Sequence, residues 1–81
     1  MTKQQIINEL AMFAGLTQKQ IDLAQARKGN QPKQIYDKCL TDTMNDKNIK
    51  SMARFCLYLL CGIPFVDPSI ESTTIESIYM V

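Results

Sequence analysis

Apolar positions recur at three- and four-residue intervals through most of the chain and then merge into one run, Phe55-Cys56-Leu57-Tyr58-Leu59-Leu60-Cys61-Gly62-Ile63, that carries no charged side chain. Ile6, Ile7, Leu10, Phe13 and Ala14 share one face of a helix expected over residues 3–15. Thr2-Lys3-Gln4-Gln5 in front of it fits a capping box, in which threonine and glutamine side chains satisfy backbone groups left open in the first turn. The same signature, Thr17-Gln18-Lys19-Gln20, opens a second helix with a thin apolar side, Ile21 and Leu23 with Ala24 and Ala26, which Gly29 ends. Pro32 suits the first turn of a third helix, where a missing amide hydrogen costs nothing, and Ile35, Tyr36, Cys39, Leu40 and Met44 continue the period. Asn45-Asp46-Lys47-Asn48 reads as a turn or cap before the fourth helix. That helix opens with Ile49, Met52 and Ala53 set against Lys50 and Arg54, turns apolar on all sides from Phe55, and stops at Gly62 and Pro64.

A helix apolar around its whole circumference has to be covered on every side, by its own bundle or by a partner. The expected fold is therefore all-α, a compact bundle of four to five short helices, with the bundle domain over residues 1–66 built around Leu10, Phe13, Ile35, Leu40, Met52, Phe55, Leu59 and Leu60 and the fifth helix, where it forms, beyond it. Residues 67–81 carry mixed signals. Asp67-Pro68 suits the cap and start of a last short helix, whereas the stretch from Thr73 to Val81 is rich in strand-forming residues. They are read as a C-terminal arm, a short helix or extended, that docks on the bundle or on a second subunit.

An 81-residue domain buries only about 60% of the surface its unfolded chain exposes, so length makes outside support useful, and a homodimer is expected. Three cysteines cannot all pair within one chain, and two of them lie in the apolar run, which points to reduced thiols and a cytoplasmic location. The N-terminus lacks the basic-then-apolar order of a signal peptide, and the apolar run is about half of what a membrane span needs. No membrane association is expected.

Chemistry is sparse. Histidine is absent, there is no glycine-rich phosphate loop with its lysine, and Asp42 and Asp46 straddle a helix end where solvated carboxylates are ordinary. No enzyme activity, cofactor or metal site is expected. Charge is uneven, with nine Lys or Arg against five acids in residues 1–54, a balance of +4, and three acids alone in residues 55–81. Such asymmetry suits a basic face for nucleic acid or head-to-tail self-association.

Two functional readings follow. The first is a small non-catalytic protein–protein interaction module, an accessory, adaptor or inhibitor, whose interface comprises Leu57, Tyr58, Ile63, Phe65, Ile75, Ile78, Tyr79 and Met80. Five methionines, able to adapt to irregular surfaces, favour it. The second is a helix-turn-helix-like DNA-binding regulator using residues 17–44. There Lys19, Arg27, Lys28, Gln31, Lys33 and Gln34 would contact phosphates and base edges of the nucleic acid.

Overall fold

Both capping boxes form as written. In the computed structural model, which describes residues 1–65, the Thr2 hydroxyl accepts from the Gln5 amide at 3.1 Å while Gln5 Oε1 accepts from the Thr2 amide at 2.7 Å. Thr17 and Gln20 exchange the equivalent bonds at 3.2 and 3.0 Å. These boxes start α1 (Lys3–Ala14) and α2 (Gln18–Ala26). Gly15 takes the left-handed conformation that closes α1, with φ of 73°. α3 (Lys33–Met44) begins just after Pro32, and α4 (Ile49–Cys61) is capped by Asn48, whose side chain accepts from the Ser51 amide at 3.1 Å, and is closed by left-handed Gly62. The turn before α4 is tied by Asp46, whose carboxylate accepts from the Asn48 amide at 2.8 Å. Among the described residues the chain is all-α, with four helices; the arm expected over residues 67–81 lies outside them.

One core holds the helices together. α1 packs most extensively on α4, α3 packs on both, and α2 rests on α1. Ile6, Ile7 and Leu10 of α1 meet Ala53, Cys56, Leu57 and Leu60 of α4, with Tyr36 and Cys39 of α3, Ala24 of α2 and Phe65 completing the cluster. The inner side of α4 mixes the small Ala53, Cys56 and Cys61 with the larger Leu57 and Leu60.

The packing corrects part of the expected core. Leu10 and Leu60 are buried, and Phe13, Leu40 and Met52 pack against the core from its edge. Ile35, Phe55 and Leu59, however, are 42%, 53% and 53% exposed. An uninterrupted apolar run carries no phase by itself, and the inward side of α4 goes to Ala53, Cys56, Leu57, Leu60 and Cys61 rather than to Phe55 and Leu59.

Tyr36 is the largest wholly buried side chain. Its hydroxyl donates to the Lys28 carbonyl, and the Lys3 ammonium sits 5.2 Å from its ring centroid, within cation–π range. Burial raises the phenol pKa above its ordinary value, against a smaller opposing effect of a backbone hydrogen bond at Gln31. At Gly29, with φ of 76°, a Cβ would lie 2.5 Å from the Leu60 carbonyl oxygen, so only glycine lets the α2–α3 loop press on the end of α4. Cys61 Sγ reaches the Ala24 carbonyl at 3.5 Å in the same region.

Candidate functional site

The outward side of α4 is apolar. Phe55, Tyr58 and Leu59, which are 53%, 50% and 53% exposed, follow one another at helical intervals directly opposite the buried positions Ala53, Cys56, Leu57 and Leu60. Gly62 continues the stripe by one more turn, and a Cβ placed there would meet nothing within 4 Å. The helix carries Lys50 and Arg54 and no carboxylate. Arg54 stands one turn before Tyr58 on the same side, and its Nε donates to the Ala14 carbonyl at 3.1 Å, which holds the guanidinium along the edge of the stripe facing α1.

The expected interface residues divide. Tyr58 lies on the stripe, and Ile63 is half-buried against the core just beyond it. Leu57 and Phe65 are instead core residues, 0% and 6% exposed, and cannot meet a partner without unfolding the chain locally. Ile75, Ile78, Tyr79 and Met80 lie outside the described residues. Phe55 and Leu59 were assigned to the core rather than to this surface. A signal for Phe55 lies at the margins of the run rather than in it, because Ser51, Phe55, Tyr58 and Gly62 share one side, and a serine and a glycine at its two ends suit an outward position better than a core-facing one.

The basic residues lie on α2, the α2–α3 loop and the start of α3, two helices without extensive mutual packing. A helix-turn-helix packs its two helices on each other, whereas α2 packs on α1 and makes no comparable contact with α3. Arg27, Lys28, Gln31, Lys33 and Gln34 gather at the α2–α3 loop and the start of α3, with Lys19 about 12 Å away at the other end of α2 by helical rise. The Lys33 ammonium is bound by Asp37 at 2.9 Å, and Lys38 by Asp42 at 2.7 Å, so the solvent side of α3 carries as many carboxylates in these pairs as ammonium groups. Lys38 has its pKa raised by its hydrogen bond to Asp42 and then by that carboxylate's charge.

The thiols are interior groups. Cys56 Sγ contacts the Cys39 carbonyl at 3.5 Å and receives the Thr43 hydroxyl at 3.5 Å. Burial, followed by the hydrogen bond with Cys56, pushes the Cys39 pKa up to about 12, and burial pushes Cys61 up to about 11. Thiols held protonated in this way are poor nucleophiles and poor metal ligands at neutral pH. No group of three metal-ligating side chains forms among the described residues.

A shallow groove of about 480 Å³ separates the N-terminal half of α1 from α2, lined by Thr2, Gln4, Gln5 and Asn8 on one side and Gln18, Ile21, Asp22 and Gln25 on the other. Gln25 spans it, donating to the Gln4 carbonyl at 2.8 Å and to Asn8 at 3.3 Å, while its own oxygen is buried with no hydrogen-bond partner among the described residues. The groove's hydrogen bonds tie α2 to α1. Among the described residues no helix is long and apolar enough to cross a membrane. Compared with protein-family models, with curated proteins and with solved structures, the chain matches none of them.

Proposed function

We propose that the protein is a small non-catalytic interaction module that binds a protein segment through the outer face of α4. The observation that carries this reading is the stripe Phe55–Tyr58–Leu59, three large apolar side chains each about half exposed and aligned on the side of the helix that faces away from its own core. Isolated exposed apolar residues are ordinary, but a contiguous aromatic and aliphatic stripe is the composition of contact surfaces. Tyrosine and phenylalanine supply large, stiff contact area, and the Arg54 edge gives the face a charge preference for a partner segment that carries carboxylates.

The same stripe limits what can bind. Half-exposed side chains of this size offer about 100 Å² each, roughly 300 Å² in all, against the ~800 Å² per partner of a stable complex. A homodimer resting on this face alone would be weak. An amphipathic segment laid along the helix, with further contacts outside the stripe, fits the size better.

The test compares affinity capture by the wild-type chain with capture by Tyr58→Asp and Leu59→Asp, and with Lys28→Ala and Lys33→Ala. Loss with the first pair and retention with the second supports the reading. The reverse pattern, accompanied by salt-sensitive binding to duplex DNA, contradicts it and favours the nucleic-acid alternative.

A further inference from the structure

We infer that the first occupant of the α4 outer face is the chain's own C-terminal segment, residues 66–81, so that an outside partner must compete with a tethered internal ligand. This rests on the reading of that face as a contact surface, and four observations support it.

The first is position. The chain leaves α4 at Gly62, the last position of the stripe, and Phe65 is anchored in the core only three residues later, so the segment begins where the exposed face ends. The second is length. From Gly62 back to Arg54 is eight residues of helix, about 12 Å, and the sixteen residues after Phe65 cover that distance whether helical, at about 24 Å, or extended, at about 50 Å. The third is composition. The segment contains Val66, Ile70, Ile75, Ile78, Tyr79 and Met80, enough apolar surface to cover three half-exposed side chains.

The fourth is charge. Residues 66–81 carry Asp67, Glu71 and Glu76 with no lysine or arginine, while α4 carries Lys50 and Arg54 with no acid. Glu76 is far enough along the segment for its carboxylate to come near the Lys50–Arg54 edge. The small size of the stripe, which counts against a stable dimer, is no obstacle to a tethered ligand, because linkage through a short connection supplies an effective concentration in the millimolar range. A segment with a Kd at or below about 1 mM in free form would then occupy the face for at least half of the time. The competing partner inferred from this arrangement is a protein segment of the same chemistry, an apolar ridge with flanking carboxylates.

The experiment uses the full-length chain and reads the backbone amide resonances of Phe55, Tyr58 and Leu59. The double variant Ile75→Asp/Ile78→Asp is expected to shift these resonances independently of protein concentration, with a monomer mass by light scattering and with the Ile6 and Leu10 resonances unchanged. A synthetic peptide of residues 66–81 added to that variant should restore the wild-type positions with a Kd near or below 1 mM. The same peptide bearing Glu76→Lys should bind at least threefold more weakly at low salt, with the difference shrinking as salt rises. Unmoved resonances at positions 55–59 overturn the inference. Shifts that follow protein concentration together with a dimer mass overturn it in favour of a second copy. Failure here leaves the interaction reading standing if Tyr58→Asp still abolishes partner capture, whereas loss of that effect removes both.

Discussion

Tyr36 and Gly29 show how single residues hold the α2–α3 loop. The Tyr36 hydroxyl is wholly buried and donates to the Lys28 carbonyl, so Tyr36→Phe removes one partner of a buried hydrogen bond while keeping the ring. A loss of about 1 kcal/mol in urea unfolding is expected. Gly29→Ala meets two penalties, a positive φ and a Cβ 2.5 Å from the Leu60 carbonyl oxygen, and should cost about 2 kcal/mol or more by the same measurement. The thiols set a pH limit. Because Cys39 and Cys61 titrate near 12 and 11 in the folded chain, against an ordinary value of 9.0, folding holds protons that the unfolded state releases first. Stability should be level below pH 9 and fall as pH rises from there towards 11, by on the order of 1 kcal/mol per thiol per pH unit. Unfolding curves that stay level from pH 8 to 10.5 would contradict the burial assigned to these thiols.

At the scale of elements, α4 is the informative case, since two leucines two residues apart have opposite fates. Leu57 is 0% exposed and Leu59 is 53% exposed. Leu57→Ala should therefore destabilise by about 2–5 kcal/mol and Leu59→Ala by no more than about 0.5 kcal/mol, read from chemical denaturation midpoints. The helix starts were legible in the sequence because capping is local: a threonine and a glutamine three residues later specify their own geometry, and both boxes form. Gly15, read as the last residue of the first helix, is instead its left-handed cap, and α2 closes at Arg27, two residues before Gly29, whereas the glycine stop was legible at Gly62. The phase of α4 was not, because every residue from Phe55 to Cys61 is acceptable in a core and the choice depends on what volume α1 leaves free. Tyr36 likewise looked like one apolar position among several, and only the Lys28 carbonyl and the Lys3 ammonium around it make burial of its hydroxyl and ring favourable.

Among the described helices, the most extensive packing lies between α1 and α4, with α3 beside them and α2 held on the outside of α1 by Gln25 and a single buried alanine. This arrangement leaves the far side of α4 as an exposed apolar stripe, with the basic loop between two helices that do not pack extensively on each other. Much of the candidate site was out of reach of sequence reasoning, since an interface residue differs from a core residue in an apolar helix only by the side it faces. The most direct test places the photo-crosslinking residue p-benzoylphenylalanine at position 58, and in a control chain at position 34, and exposes native cells to light. The account predicts covalent adducts of higher mass with protein from position 58 and none from position 34. Adducts with protein or nucleic acid from position 34, with none from position 58, would contradict it.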